Sequence, residues 1–340
     1  MSASHARLPP PSGWFRIATS EELAPAQVGR FRVNAHEVVA FRNDDGEVAV
    51  VDPFCPHMGA HLGHGGRVVD GTLRCPFHGL RFDVRGRCVG TEYPEATKVS
   101  LSLRTWPVRE QLGCIFVHFG HGGEAPTWDL PNYDTEGWTR PITKVLTLKG
   151  HVQDVAENSV DFGHFAAVHG YSNLEDPVLQ IDGPRLHSKF GFTRRNPILP
   201  WGQIHSVFDT DVHGLGLSVT DLRSPRLGVH PRILLTATQL DEETMSFGIG
   251  VSSETPPPFV PRSLRGLPLP WSAAARADRE IPPLGKAVLS KSSRRVAHSQ
   301  GLMLRNASVR LSLSLKPVAR LRNNTTPMSL RCWRSALRAS

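Results

Sequence analysis

The segment Cys55-Pro56-His57, followed after seventeen residues by Cys75-Pro76-Phe77-His78, decides how this 340-residue chain is interpreted. Each half contributes one thiol and one imidazole, which we expect to lie on two facing loops. The prolines stiffen these loops, and Gly59 and Gly79 permit tight backbone turns. The pattern therefore predicts one site with two sulfur and two nitrogen donors.

Two cysteines on one iron and two histidines on the other form the ligand set of a Rieske [2Fe–2S] centre. Sites with both cysteine and histidine ligands also bind zinc, but structural zinc sites favour Cys-x2–4-Cys and His-x3–5-His pairs. Here each loop carries one cysteine and one histidine, which favours the [2Fe–2S] cluster over zinc. We interpret His61 and His64 as loop residues near it. The four predicted ligands are Cys55, His57, Cys75 and His78.

Composition predicts a cytoplasmic protein. No apolar run approaches the roughly 18–20 residues needed to cross a bilayer, and no N-terminal signal segment is evident, so we expect no membrane span. Five cysteines are present. Those outside the cluster motif, Cys88, Cys114 and Cys332, have no framework spacing and are expected to be reduced.

The net charge of +8 would suit a nucleic-acid partner, but its distribution argues against one. Residues 284–340 hold twelve Lys and Arg and no acidic residue, which leaves 27 basic and 31 acidic residues elsewhere. The basic character therefore belongs to one tail, and we expect no nucleic-acid partner.

The first part of the chain has the pattern of a small antiparallel β module. Short β-branched runs such as 37–42 and 48–52 are separated by turn residues, and a buried strand at 114–119 closes the region. Such modules hold cofactors in loops at one end. The Gly- and Pro-rich stretch 120–131 predicts a boundary, so that residues 1–125 form an all-β domain.

The second part predicts an α+β domain over residues 126–283. A strand from Thr143 to Val152 leads into a helix that begins near Asp154 and ends by Gly170. Alternating runs predict an antiparallel sheet, and a further helical stretch follows at 271–280. These runs are 217–220, 233–238 and 244–251.

The predicted helix carries a second candidate metal site. Two histidines and one carboxylate leave open positions on a non-haem Fe(II) for O2 and substrate. His164 and His169 are about 140° apart on an ideal helix, so both reach one metal only if the helix bulges or ends there, and Gly170 supplies a stop. Asp161 is three residues before His164, on the same face of the predicted helix, and could hydrogen-bond a ligand imidazole. Ordinary core histidines are the alternative, but a one-electron cluster needs an acceptor.

With these two motifs, residues 13–283 resemble the oxygenase components of Rieske non-haem iron oxygenases. The pattern Asn158-x-x-Asp161-x-x-His164-x4-His169 is similar to that family's iron motif. In detail the chain looks most like the branch of 3-ketosteroid 9α-hydroxylases and cholesterol 7-desaturases. The resemblance implies an N-terminal all-β Rieske domain and a C-terminal catalytic domain of helix-grip type.

The resemblance also implies further residue roles. The third iron ligand would be an Asp more than a hundred residues after His169, and Asp278 has the expected helical context, whereas Asp241 suits a turn between strands. Asn158 and Asp161 would be catalytic, with Asp161 bridging a cluster histidine of one subunit to an iron histidine of the next in a head-to-tail homotrimer.

As a member of this family the chain would receive electrons from NAD(P)H through a reductase, directly or by way of a ferredoxin. It would then hydroxylate or desaturate a flat hydrophobic substrate, such as a steroid. Two alternatives are an aromatic-ring hydroxylating oxygenase and a Rieske ferredoxin-type electron carrier without the second iron. Apolar residues expected to shape the pocket are Leu174, Val178, Leu179, Ile198 and Leu199.

Residues 284–340 depart from the family pattern. Codons for Leu284 to Val288 of the form CTG-GGA-AAA-GCG-GTx, read one base later, would encode Trp-Glu-Lys-Arg, the type of run that the resemblance implies there. Translation out of frame after about residue 283, with loss of the usual terminal helix, is one interpretation. A disordered basic tail is the other. The first would put the stability and activity of the chain in doubt, and an inactive product of a disrupted gene is a further alternative to the oxygenase.

Overall fold

The computed structural model describes residues 12–92, 100–175, 177–195, 202–225 and 230–254. Asp278, the predicted helix at 271–280 and the basic tail therefore lie outside the described residues.

The first half of the described chain is built from short antiparallel strands in three sheets. Their orders are β1-β11-β10, β2-β3-β4-β9 and β5-β6-β7-β8. A 3₁₀-helix, Ser20–Glu22, follows β1. Strands β1 to β11 are Gly13–Thr19, Val28–Val33, His36–Arg42, Val48–Val51, Arg67–Val69, Thr72–Arg74, Arg81–Phe82, Cys88–Gly90, Thr105–Trp106, Val108–Gln111 and Cys114–Phe119.

A hydrophobic cluster lies directly beneath the two loops that carry the Cys/His motif. Phe41, Val51, Leu73 and Phe82 are fully buried in it. Burying such a side chain stabilises the fold by about 1.5–3 kcal/mol. The strands that support the loops are therefore β3 and β4, which precede the first loop, and β6 and β7, which flank the second loop.

The second half is one antiparallel sheet of seven strands with two short helices. The sheet order is β12-β18-β17-β16-β15-β14-β13, which confirms the predicted antiparallel sheet. Its elements are β12 Ile142–Lys149, α1 Val152–Asn158, α2 Phe162–Ala167, β13 Val178–Asp182, β14 Arg185–Arg195, β15 Gln203–His213, β16 Leu217–Arg223, β17 Pro231–Gln239 and β18 Thr244–Ser253.

Alternation along β14 and β15 explains why these residues form strands. Phe190 and Phe192 are buried on one face of β14, and the pairing of Phe190 with Phe208 of β15 continues the same apolar surface. Side chains two apart on a strand share a face. The strands thus present a row of aromatic rings toward the helices.

The single helix predicted between Asp154 and Gly170 is instead two short helices. Helix α1 ends at Asn158, and α2 begins after Asp161, whose side chain accepts the backbone N–H of His164. Asp competes for backbone donors and so favours a cap over a helix interior. In the described part of the chain no helix is long and apolar enough to cross a membrane.

The two halves share one core. Arg16 of β1 is buried, donates from Nε to Thr236 Oγ1 at 2.9 Å, and donates from Nη2 to Ser246 Oγ at 2.5 Å. The backbone carbonyl of Arg16 accepts a hydrogen bond from Thr238 Oγ1 at 2.6 Å. Strand β1 is thereby tied to β17 and β18 of the large sheet, because each of these buried polar groups has a partner across the boundary.

Candidate metal centres

The two Cys/His loops have nearly the same backbone. The first connects β4 to β5, and the second connects β6 to β7. In each loop the cysteine N–H donates to a carbonyl five residues later, Cys55 to Ala60 and Cys75 to Leu80, both at 2.8 Å. Gly59 has φ of +70° and Gly79 has φ of +62°, the left-handed conformation that glycine adopts without strain.

The loops place thiols inward and imidazoles outward. Cys55 and Cys75 are 2% and 1% exposed, while His57 is exposed and His78 is half-buried. The imidazole rings of the two histidines are 4.8 Å apart between centroids. Burial raises the pKa of the Cys55 thiol to about 11; the neighbouring Cys75 thiol adds to the rise, while the N–H of His57 opposes it.

This donor arrangement fits a [2Fe–2S] cluster. A Rieske centre needs two thiolates on one iron and two imidazoles on the other, and the four side chains are paired in this way. Within the described ranges no three His, Cys, Asp or Glu side chains surround one point. The donors come as pairs, one of sulfur and one of nitrogen.

The neighbouring histidines of the first loop have protein partners. His61 Nε2 lies 3.2 Å from Glu37 Oε1, and His64 Nε2 lies 2.8 Å from Arg30 Nη1. These contacts agree with the interpretation of both as loop residues. Sequence reasoning did not anticipate the apolar rim around the imidazoles. It consists of Phe54, Met58 and Phe77, which are 56%, 67% and 62% exposed.

The second candidate site lies where α2 ends. His164 is inside the helix, and His169 follows its last turn, beside Gly170 with φ of +66°. The two imidazole rings are 4.7 Å apart between centroids. As expected, a helix end brings together two histidines that a continuous helix would point in different directions.

Asp161 and Asn158 occupy the junction between α1 and α2. The Oδ1 atom of Asp161 accepts the backbone N–H of His164 at 3.1 Å, so the carboxylate caps α2. The expectation that Asp161 and His164 share the face of one helix is therefore wrong, because Asp161 is the N-cap residue just before α2 and not a residue inside a helix. Asn158 is the exposed last residue of α1.

The electrostatics of this site favour a neutral imidazole at His169. Partial desolvation lowers the pKa of His169, and repulsion from His164 lowers it further. The Nδ1 atom of His164 is buried and has no hydrogen-bond partner among the described residues. Neutral imidazoles with an unused nitrogen are the form that binds iron.

An aromatic wall packs against this site. Phe162 and Phe165 of α2 pack against the sheet, with centroid distances of 5.0 Å and 5.2 Å to Phe190. Tyr171 stacks on Phe192 at 4.2 Å. Sequence reasoning missed these rings, although the alternation of phenylalanines in β14 was a readable signal.

The apolar residues expected to shape the pocket have mixed positions. Leu174 packs against the aromatic cluster. Val178 and Leu179 are instead exposed on β13, an edge strand of the sheet. Ile198 and Leu199 lie outside the described residues.

Asp241 belongs to a turn, as the sequence suggested. It lies between β17 and β18 and accepts hydrogen bonds from Thr244 Oγ1 and from the backbone N–H groups of Glu243 and Thr244. These bonds lower the pKa of the Asp241 carboxyl. The preferred third ligand, Asp278, lies outside the described residues.

Together, a β domain with paired Cys/His loops and an antiparallel sheet with a histidine pair define the architecture of a Rieske oxygenase. Two family models match the chain accordingly. The Rieske [2Fe-2S] domain matches residues 13–107, and the 3-ketosteroid 9alpha-hydroxylase C-terminal domain matches residues 117–262. The chain belongs to the Rieske oxygenases.

Relatives agree with this assignment. A cholesterol 7-desaturase of Hemicentrotus pulcherrimus is 30% identical over 73% of this chain and 56% of its own length. One of Ciona intestinalis is 38% identical over 48% of this chain and 36% of its own. A probable 3-ketosteroid-9-alpha-monooxygenase oxygenase component of Rhodococcus rhodochrous is 33% identical over 46% and 41%. The chain thus spans between about a third and just over half of these relatives.

Solved structures share the fold. Dicamba monooxygenase bound to 3,6-dichlorosalicylic acid superposes with a TM-score of 0.64, over 96% of this chain and 97% of that one. The sequence identity is 18%, so this likeness concerns the fold alone.

Proposed function

We propose that this chain is the terminal oxygenase component of a multicomponent system that hydroxylates or desaturates a hydrophobic, steroid-like substrate. The observation that carries the proposal is the presence of two donor sets on one chain. One is the Cys55, Cys75, His57 and His78 set, and the other is the adjacent pair His164 and His169. An electron carrier needs only the first set.

Each donor set has a role that follows from its position. Cys55 and Cys75 hold the buried side of a [2Fe–2S] cluster, while His57 and His78 hold its outer side near the surface. His164 and His169, with Asp278 as the third ligand, hold a mononuclear Fe(II). When bound, the cluster supplies electrons singly and the mononuclear iron supplies open positions for O2 and substrate.

The aromatic wall beside the iron pair supports a flat apolar substrate. Phe165, Phe190 and Phe208 lie within 6 Å of one another between ring centroids. These rings form a buried apolar cluster beneath the helix pair, which would keep water away and favour an apolar ring system over a polar one. The C-terminal domain match and the names of the relatives support a steroid over a small aromatic substrate.

The position of His57 and His78 near the surface suggests where electron-transfer partner proteins would bind. We propose that an NAD(P)H-dependent reductase, with or without a ferredoxin, delivers electrons, and that the chain acts as a cytoplasmic homotrimer. The exposed rim of Phe54, Met58 and Phe77 around the imidazoles supports contact with another protein surface at this point. In the trimer Asp161 would bridge to a cluster histidine of the neighbouring subunit, with Asn158 beside it.

The domain division remains part of the proposal. Residues 1–125 would form the cluster domain and residues 126–283 the catalytic domain, with residues 284–340 as an aberrant basic tail. The tail stands where the family has a Trp-Glu-Lys-Arg-type segment. Tests of activity should therefore compare the 340-residue chain with a version whose reading frame is restored after about residue 283.

Two measurements test the proposed function. Metal analysis of purified protein should give about three iron atoms per chain, against about two for a ferredoxin-type carrier. Oxygen uptake driven by NADH and a reductase, with steroid products identified by mass spectrometry, should follow in the frame-restored version. Two irons per chain and no oxygen uptake in either version would refute the oxygenase assignment.

A further inference from the structure

A cavity of about 350 Å³ lies at the end of the large sheet where the β13–β14 hairpin turns. Its size is at the lower end of the range for small-molecule sites. None of the predicted metal ligands lines it. His187 of β14 does, whereas Thr193, six residues further along the same strand, pairs with Ser172 after the histidine pair. Six residues of strand span about 20 Å, so the cavity is separate from the proposed iron site.

A pair made of the half-buried Tyr133 and the buried His213 forms one wall of this cavity. Tyr133 Oη lies 2.6 Å from His213 Nε2. His213 is only 4% exposed, and its Nδ1 atom is buried without a hydrogen-bond partner among the described residues. Burial lowers the pKa of His213 to about 4 and raises the pKa of Tyr133, so both side chains are neutral near pH 7.

The neutral pair keeps unused hydrogen-bonding capacity. If the phenol donates to Nε2, then Nδ1 carries a hydrogen with no acceptor. If Nε2 carries the hydrogen, the phenol hydrogen is free to donate. Buried polar groups are seldom left unpaired, because the unpaired state is costly. Because Nδ1 is buried, the group of the pair that can meet a ligand is the Tyr133 hydroxyl, which both donates and accepts and so suits a ligand hydroxyl.

Two charged side chains at the cavity, Arg185 and Asp182, are exposed and form no ion pair within the described residues. Asp211 Oδ1 lies 2.9 Å from His187 Nδ1, so this carboxylate is already engaged. Arg185 donates from Nη2 to the carbonyl of Asp129 at 3.4 Å, and the described residues form no ion pair with it. Asp182 is opposite Arg185 in the hairpin register, yet no ion pair joins the two. A guanidinium in this state suits a carboxylate.

We propose that this cavity binds a small hydroxylated carboxylic acid. Its carboxylate pairs with Arg185, and its hydroxyl joins the hydrogen bond between Tyr133 and His213. Ile181 and Leu186 also line the cavity and contact the apolar body of the ligand. The volume limits that body to about one ring.

The probe for this site is 4-hydroxybenzoate, measured by titration calorimetry on the metal-loaded full chain. We expect saturable binding that weakens at least about tenfold in Arg185→Gln and in Tyr133→Phe, since each change removes one polar contact. Lys189→Gln is the matched control, because Lys189 is on the same strand but pairs with Asp209 at 2.9 Å. The amide 4-hydroxybenzamide, which lacks the charge, should bind as weakly as the acid binds Arg185→Gln.

Three outcomes would overturn the proposal. They are the absence of binding up to millimolar probe, equal binding to wild type and Arg185→Gln, and loss of binding in His169→Ala, which would put the probe at the iron site. Retention of the cluster absorption spectrum in each variant shows that it is folded. Because the proposed oxygenase activity does not depend on this cavity, failure here leaves that function untouched.

Discussion

The cluster loops and the helix pair α1–α2 differ in how close together in the sequence the proposed ligands of each site lie. All four cluster donors lie between residues 55 and 78, on two loops with matching hydrogen bonds and matching glycine turns. The proposed iron histidines lie on a six-residue helix and just beyond it, and their proposed third ligand is over a hundred residues away. The first site is nearly self-contained, whereas the second depends on distant chain.

This difference also appears in burial. The cluster cysteines belong to a hydrophobic core, while α2 has no buried residue. A site anchored in a core is rigid before any metal binds, since packed interiors resist deformation. The iron pair is held mainly by the aromatic packing of Phe162 and Phe165 on the sheet.

The largest expected effect comes from the cluster thiols. Cys75→Ser should abolish the [2Fe–2S] cluster and lower the iron content by about two atoms per chain, as measured by metal analysis and reduced-state EPR. Cys88→Ser is the matched control, since its half-buried thiol is outside the donor set and only approaches the Gly90 carbonyl at 3.7 Å. If the cluster EPR signal persisted in Cys75→Ser, Cys75 would not be a cluster ligand, and the contrast between the two sites would no longer hold.

The next effect concerns the iron pair alone. His169→Ala should lower iron content by about one atom per chain and abolish oxygen uptake, while the cluster EPR signal stays intact. His205→Ala, an exposed histidine on β15, should change neither. If His169→Ala also abolished the cluster signal, the two sites would not be independent.

Replacement of Asp161 separates its role as a helix cap from its proposed role as a bridge. Asp161→Ala should keep both metals yet stop turnover, and it should lower stability by about 1 kcal/mol because the α2 cap is lost. Asp161→Asn retains a capping oxygen but not the charge, so it should recover the stability without recovering turnover. Thermal unfolding and oxygen uptake measure the two effects, and full activity in either variant would refute the bridging role.

The smallest effect distinguishes the two otherwise similar loops. Gly59→Ala and Gly79→Ala each force a non-glycine residue to positive φ, at a cost of about 1–2 kcal/mol. A Cβ at Gly59 meets nothing within 4 Å, whereas one at Gly79 approaches the Glu92 carboxylate at 3.0 Å. Glu92 pairs with Arg74, so denaturant unfolding should show the larger loss for Gly79→Ala. Equal losses would mean that Glu92 moves aside freely.

Much of the fold could be predicted because its signals are local. The Cys/His spacing, the turn glycines and the alternating strands each depend on residues close together in sequence. The break between α1 and α2 was missed because Asp161 was interpreted as a helix-face residue, while its carboxylate is better placed on a free N–H at the start of a helix. Pocket residues were harder still, since Leu174 and Val178 have the same apolar character, yet Leu174 is half-buried against the aromatic cluster and Val178 is exposed.

By itself, the sequence determined the chemistry of the sites: which side chains can donate to metal, and that sulfur and nitrogen donors occur once in each loop. Only the tertiary structure decided which groups face each other. The meeting of His164 and His169 at a helix end, the aromatic wall from two strands and a helix, and the Tyr133–His213 pair across 80 residues all depend on packing. Donor identity is a property of single residues, whereas proximity is a property of the folded chain.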